Sequence, residues 1–216
     1  MSFDWIAFFE YLPRLIRASG VTLQVSLLSL GLACVLAPIL ALSRLLGPTL
    51  LRSAVQAFIE LIRGLPPLVV IAFCYFALPK LGLVLSGFWC GVLALGVVGA
   101  VYAAEIIRSA IESLGKGQLE AALALGFARW QAVLDILLPQ ALRRILPPLT
   151  NEFANLIKAS SLLSVISVHE ISQVGQSLIF ETFVVIEILV QMAILYLIII
   201  GTVTFISRRL EKGLSS

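Results

Sequence analysis

The chain has 216 residues; 60% of them are hydrophobic and 12% are charged, and the mean hydropathy is +1.08. This is more apolar than a soluble core of this size requires, so an ordinary soluble protein is excluded. The formal net charge of +3 gives no reason to expect a nucleic-acid partner. The composition indicates an all-α polytopic membrane protein that forms one domain over residues 1–216.

Long runs without charged residues predict where the chain crosses the membrane, because a spanning helix needs about 20 apolar residues. Such runs extend over residues 18–43, 81–104 and 188–207. Two weaker apolar segments lie between them. About five transmembrane helices are therefore expected, at residues 18–43, 53–78, 81–108, 145–168 and 184–207. The preceding segment, Phe3–Arg17, has the aromatic and charged composition of an interfacial helix.

The positions of lysine and arginine predict the orientation, because these residues concentrate in cytoplasmic loops. With five helices, successive loops alternate between the two sides. The loop from His169 to Glu187 contains neither Lys nor Arg and is expected outside. Most basic residues fall on the opposite side: Arg44, Arg52, Arg63, Arg108, Lys116, Arg129, Arg143, Arg144, Arg208, Arg209 and Lys212. The N-terminus is therefore expected outside and the C-terminus in the cytoplasm.

Cysteine and histidine give no sign of a metal site or of catalysis. Cys34, Cys74 and Cys90 fall in predicted spans without metal-ligand spacing and are interpreted as small buried hydrophobes. His169, the single histidine, is interpreted as an interfacial polar residue, with a proton relay as the alternative. We expect no catalytic residue and no bound metal.

A polar segment at residues 117–139 interrupts this apolar chain on the predicted cytoplasmic side. Gly115 and Gly117 are expected to break the preceding helix, and Gln118–Leu125 predicts a short, Ala-rich helix. Gly126 suits the left-handed position after its end. A thin helix of this kind fits a groove on another protein, and Glu120 in its first turn favours the positive helix end. The alternative is an ordinary solvated loop.

The spacing in this segment resembles the EAA loop of ABC importer permeases: Glu120-Ala121-Ala122, three residues, Gly126, nine residues, then Ile136-Leu137-Leu138-Pro139. Three further stretches resemble motifs of the polar amino acid permease branch, in the same order. They are "ELIRGLPPLVV" (60–70), "VYAAEIIRSAIESLGKGQLEAA" (101–122) and "LPQALRRILPPLTNEFANLIKASSLLSVISVHEI" (138–171). The chain departs from the usual motif residues at Leu65 (Thr), Val101 (Ala) and Ala159 (Asp), and the last change removes a carboxylate beside Lys158.

The resemblance implies the fold of a type I ABC importer permease in the bacterial inner membrane. It implies a coupling helix that contacts a separate ATP-binding cassette ATPase, through the residues Glu120, Ala121, Ala122, Gly126 and Arg129. The chain has no Walker A pattern, so ATP and Mg²⁺ are expected on that ATPase and no cofactor on this chain. The other expected partners are a second copy or a similar permease, an extracytoplasmic solute-binding protein, an amino acid substrate and membrane lipid.

Polar residues at membrane depth are candidates for the substrate path. Each one costs free energy to insert in the membrane, so its presence there indicates a function. Asn151, Asn155 and Lys158 share one helical face, and Glu152 flanks it. Lys158 would meet a substrate carboxylate. The alternative is a structural ion pair or a lysine that reaches to the interface.

Tyr102 and Glu105, in the third predicted span, are similar candidates for the path. Glu105, Arg108 and Glu112 are also spaced as a salt-bridge ladder at a helix end, and that interpretation stays open here.

Three other classes of protein are alternatives to a permease. A secondary transporter or channel would show internal repeats with broken helices, which the sequence lacks. A membrane anchor or scaffold would not need Glu152 and Lys158 at membrane depth. An intramembrane enzyme would need paired Asp, Ser/Lys or His groups, and none is present. The permease is therefore the predicted function.

Overall fold

The computed structural model describes residues 3–215, with the side chains at 116 and 210–215 excluded from the description. Within that range every regular element is helical. The α-helices are α1 (Trp5–Leu46), α2 (Thr49–Gly64), α3 (Pro67–Phe76), α4 (Gly87–Glu112), α5 (Lys116–Ala124), α6 (Arg129–Gln131), α7 (Leu138–Ala159), α8 (Ile171–Thr182) and α9 (Ile186–Ser215). Two 3₁₀ segments, Leu78–Leu81 and Ser160–Ile166, and one π-helical segment, Ala132–Leu137, connect them.

The first helix is longer than predicted, because the segment expected to be interfacial continues into the first span without a break. The Asp4 carboxylate caps α1 by accepting hydrogen bonds from the N–H groups of Ile6 and Ala7. Pro13 lies inside the helix without ending it. With 42 residues, α1 exceeds what a bilayer crossing needs and must extend beyond the hydrocarbon core.

The second predicted span, 53–78, is not one helix. It consists of α2 and α3, which meet at an angle of 104°. The break lies at Leu65 and Pro66, where a proline forces the preceding residue into an extended conformation; Leu65 has φ −95° and ψ 139°. Pro67 then occupies the first turn of α3, where its missing N–H costs nothing.

Three helices, α1, α4 and α9, are long and apolar enough to cross a membrane, and the bent pair α2–α3 makes a fourth. The third predicted span begins at Gly87 rather than at residue 81. The fourth, expected at 145–168, corresponds to α7, which begins at Leu138 and ends at Ala159. By length and composition alone the described residues give three or four spans, and α7 does not meet this criterion because it carries too many charged residues. The predicted count of about five, with α7 as the fourth span, stays a prediction.

α1 and α4 form the centre of the fold, and small residues let them lie close together. Gly96 shows this directly: a Cβ atom there would lie 2.6 Å from a methyl carbon of Leu32. Cys74 and Cys90 are buried in the same core, as predicted. Cys34 is exposed, so its assignment as a buried hydrophobe is wrong; it lies on the wall of an apolar cavity of about 540 Å³.

Candidate coupling surface and polar pocket

The predicted short helix in the polar segment is present as α5. It extends over Lys116–Ala124, close to the predicted 118–125. Gly115 precedes it with φ +89°, a conformation that favours glycine. Gly117 lies inside α5, so the prediction that it breaks the preceding helix is wrong. α4 has already ended at Glu112, and Gly115 alone supplies the left-handed turn between the two helices.

Gly126 ends α5 with φ +88°, which confirms the predicted left-handed position. The N–H of Phe127 donates to the carbonyl of Ala122 at 3.1 Å, and the N–H of Gly126 donates to the carbonyl of Leu123 at 3.0 Å. These two bonds form a Schellman motif, which satisfies carbonyls that the helix end would otherwise leave unpaired. The direction in which the chain leaves α5 is therefore set by the backbone of Gly126.

α5 and the residues that follow present an exposed surface that is partly apolar. Glu120, Ala121, Gly126 and Arg129 are exposed, as expected of residues that contact a partner. Large apolar side chains are exposed beside them: Leu123, Leu125, Phe127 and Trp130. Apolar side chains clustered on a surface of this kind mark a protein or membrane interaction site.

Ala122 does not belong to this coupling surface. Only 3% of it is exposed, because it faces the rest of the protein. The small side chain of Ala122 allows α5 to lie close to its neighbours, and the predicted part of Ala122 in ATPase coupling stays a prediction.

The coupling surface is joined to the membrane helices by continuous helix. α6, the π-helical segment and α7 follow one another without a break from Arg129 to Ala159. Val133 and Leu137 of the π-helical segment are buried in the same cluster as Ala141 of α7 and Ile107 of α4. A displacement of the coupling surface would therefore be passed to α7 as a movement of one packed body.

α7 forms one wall of a polar pocket of about 470 Å³. α2 and α4 supply the other walls, and the pocket begins where α2 ends. Its lining is Arg63, Tyr102, Glu105, Ile106, Ser109, Ala110, Ser113, Arg144, Pro148 and Glu152. Three of the predicted path residues, Tyr102, Glu105 and Glu152, therefore meet in one cavity.

Glu105 is the most highly paired carboxylate of this pocket. Its Oε2 accepts from Nη1 of Arg44 at 2.6 Å and lies 4.0 Å from Nη1 of Arg63. Its Oε1 accepts from Nε of Arg108 at 3.0 Å. Arg108 also binds Glu112, so the predicted salt-bridge ladder is present. Because several guanidinium groups already neutralise Glu105, its first role is to hold the ends of α1, α2 and α4 together.

Arg63 differs from the other arginines around Glu105, because its guanidinium group contacts an aromatic ring. Its guanidinium lies over the ring of Tyr102, 5.4 Å from the centroid, and it is half-exposed to the pocket. Such a cation–π contact orients the group without using its hydrogen-bond donors. Among the described residues its one charged partner is the Glu105 carboxylate at 4.0 Å, so its hydrogen-bond donors remain available to the cavity.

The predicted face of α7 lies mostly outside this pocket. Asn151, Asn155 and Lys158 are all exposed, and only Glu152 lines the cavity. The Asn155 amide donates to Oε2 of Glu152 at 3.5 Å. Among the side chains described, no carboxylate lies within 4.0 Å of Lys158, so the structure provides no ion pair for it. Their role in the path stays a prediction.

Two pocket arginines were not singled out from the sequence. Arg144 donates to the backbone carbonyl and the hydroxyl of Ser113, both at 2.8 Å, which ties α7 to the end of α4. Arg63 lies in the motif "ELIRGLPPLVV" and among the basic residues that predict the orientation, but the sequence assigns it no role in the path. The signal for it was its place before the Pro66–Pro67 pair, because the helix break turns the end of α2 toward the pocket.

A second polar cluster lies at the other end of the bundle, around the fully buried Glu170. Its carboxylate accepts from the Tyr196 hydroxyl at 2.7 Å and from the N–H of Gln173 at 2.8 Å. Burial raises the pKa of the Glu170 carboxyl, and these hydrogen bonds oppose that rise. The cluster fixes α8 against α9. His169 beside it is exposed, in agreement with a polar surface residue.

These features are those of a helical membrane transport protein: apolar spans, a polar pocket at one end of them, and a short exposed helix. Residues 19–215 match the family model of the binding-protein-dependent transport system inner membrane component. The chain belongs to that family, and it is the membrane permease subunit of an ABC importer. In this class ATP hydrolysis lies in a separate subunit.

Comparison with individual proteins gives the same result. The chain is 40% identical to the glutamine transport system permease protein GlnP of Escherichia coli K12, over 98% of each chain. It is 38% identical to the probable glutamine ABC transporter permease protein GlnM of Bacillus subtilis, over 89% of this chain and 91% of that one. Among solved structures, it is similar to an amino acid ABC transporter with histidines, with 29% identity, a TM-score of 0.89 and coverage of 98% and 99%.

The predicted resemblance to polar amino acid permeases is thereby confirmed, and so is the type I importer fold. The family also places the chain in the inner membrane. The alternatives of a secondary transporter, a scaffold and an intramembrane enzyme are set aside.

Proposed function

We propose that this permease moves a neutral polar amino acid of the glutamine type through the pocket between α2, α4 and α7, driven by an ATPase bound at α5. The observation that carries the proposal is the unbroken helix from Arg129 to Ala159, which connects the coupling surface to the wall of the polar pocket. ATP and Mg²⁺ would be bound by the ATPase, whose closure would tilt this continuous segment.

The charges of the pocket fit a zwitterion. Arg63 offers guanidinium donors for a substrate carboxylate, and Glu152 offers a carboxylate for the ammonium group. Glu105 is neutralised by its arginines and would not attract a second cation. Hydroxyl groups of Tyr102 and Ser109 remain for an uncharged polar side chain. The glutamine permeases among the relatives support this choice of substrate.

We further propose that two permease chains pair, because the pocket of a single chain opens onto the surface of that chain. Polar side chains on membrane helices cannot be left facing lipid. Phe58 and Leu61 on α2 and Phe73 on α3 provide an exposed apolar face for a second copy or a similar permease. A solute-binding protein would deliver the amino acid from the external side.

The proposed function is tested by reconstituting the permease with its co-purifying ATPase and its binding protein. ATP hydrolysis and uptake are measured against a panel of amino acids. We expect stimulation of both activities by glutamine, and much weaker stimulation by lysine and by leucine. Equal stimulation by all three, or stimulation by lysine alone, would contradict the proposed substrate class.

The orientation, with the N-terminus outside and the C-terminus in the cytoplasm, is also a proposal, supported by the uneven distribution of Lys and Arg. Lys116 and Lys212, which were counted in that argument, lie outside the described side chains.

Cysteine labelling tests this orientation. In a Cys34→Ser background, Gln176→Cys on α8 should react with an impermeant thiol reagent added outside, because Gln176 is exposed. Gln118→Cys on α5, equally exposed, should react only after the membrane is opened. The remaining cysteines are buried and provide the blank. The reverse pattern would overturn the orientation.

A further inference from the structure

A small basic cavity of about 190 Å³ lies beside the coupling surface, separate from the polar pocket. It forms where α1 and α4 end and α2 begins. Its lining is Arg44, Leu45, Arg52, Gln56, Arg108, Glu112 and Arg129. Four guanidinium groups thus surround one space with a single carboxylate among them.

The described ion pairs do not neutralise this cavity. Arg44 and Arg108 share Glu105, and Arg108 also holds Glu112. Arg52 makes only a long hydrogen bond, 3.5 Å to the carbonyl of Gly47. Arg129 has no ion pair with any side chain described. Two arginines therefore face the cavity with donors to spare.

The spare donors suit a phosphate group. A guanidinium group presents parallel N–H donors that match two phosphate oxygens, and several around one space favour a multiply bonded anion. The cavity has room for one phosphate-sized group. A substrate zwitterion would lack a partner for its ammonium group, because Glu112 is already bound to Arg108.

Apolar side chains surround the arginines, and they identify the kind of phosphate. Leu50 and Leu51 precede Arg52 and are exposed. Leu45 lies in the cavity wall itself. A ligand that places an anionic head between arginines and an apolar tail along such side chains is a phospholipid.

We propose that this cavity binds the phosphate group of an anionic phospholipid. The proposed orientation places the cavity at the cytoplasmic leaflet, and only the choice of leaflet depends on it. That leaflet carries negative lipids, which attract arginines near the surface. The lipid would lie against the helix ends that also form the polar pocket, because Arg44 and Arg108 connect the two through Glu105. The site is independent of the amino acid transported.

Native mass spectrometry of the permease–ATPase complex tests this proposal. Phosphatidylglycerol and phosphatidylcholine are titrated against the wild type, Arg52→Gln and Arg143→Gln. Arg143 is exposed and basic but does not line the cavity, so its variant controls for loss of one charge on the same side. Arg52→Gln should weaken phosphatidylglycerol binding about fivefold, from about 1 kcal/mol per arginine near the surface. Arg143→Gln should bind like the wild type.

Each of the other outcomes overturns the proposal. The cavity would not be an anionic lipid site if the two lipids bound equally, or if both variants had the same effect on phosphatidylglycerol binding. Displacement of the lipid by inorganic phosphate at the same concentration would make this a site for small anions. Unchanged lipid binding with loss of the ATPase from Arg52→Gln would assign the cavity to a carboxylate of that subunit. If Arg52→Gln does not assemble, Gln56→Glu tests the cavity through a lining residue outside the coupling surface, because the added carboxylate should weaken phosphatidylglycerol binding.

Discussion

Replacing Gly126 with valine is expected to reduce substrate-stimulated uptake at least tenfold, while the permease still inserts in the membrane. Gly126 has φ +88°, which a β-branched residue adopts only with strain. No atom lies within 4 Å of an added Cβ, so the cost comes from the backbone alone. That cost is of order 1–3 kcal/mol, enough to release the last turn of α5 and misplace the coupling surface.

Two control variants make this result specific to the backbone. Gly126→Asn adds a side chain at the same place but tolerates the left-handed conformation, so it should keep most of the uptake. Gly117→Ala lies inside α5, where a Cβ meets nothing, and should be neutral or slightly stabilising. Uptake, ATP hydrolysis and co-purification of the ATPase are measured together. Normal stimulated uptake by Gly126→Val would remove the coupling role of this turn.

The coupling segment was predictable from sequence because its structure is set locally. Gly126 and the Ala-rich stretch before it determine a short helix and its end through backbone preferences alone. Local preferences do not predict which face of α5 packs against the rest of the protein. Ala122 turns inward because α5 packs on the π-helical segment, and nothing in an Ala-Ala pair indicates which residue faces the protein.

The membrane helices were predicted less well, because hydropathy gives the length of an apolar run but does not show whether the helix within it is continuous. The charge-poor stretch from 53 to 78 suggested one span, although Pro66 and Pro67 stood in its middle. The two prolines bend the chain by 104° and place Arg63 at the pocket. The Pro-Pro pair was visible in the sequence, and it should have outweighed the apolar run.

Arg63→Met is expected to raise the half-saturating amino acid concentration about ten- to a hundredfold, because a lost charge-assisted hydrogen bond costs roughly 1.5–3 kcal/mol. The variant should still assemble. Arg44 and Arg108 continue to neutralise Glu105 at shorter distance than Arg63, so no carboxylate is left unpaired. Methionine also keeps the apolar length of the side chain over Tyr102.

Lys158→Met is the matched comparison, because it removes one positive charge from the other candidate for the substrate carboxylate. Lys158 is exposed, lies outside the pocket and has no described ion partner, so this variant should assemble too. If the pocket holds the substrate, the half-saturating concentration rises for Arg63→Met and stays near the wild-type value for Lys158→Met. The opposite ranking would place the carboxylate on the face formed by Asn151, Asn155 and Lys158, and the pocket would then be a structural joint between α2, α4 and α7.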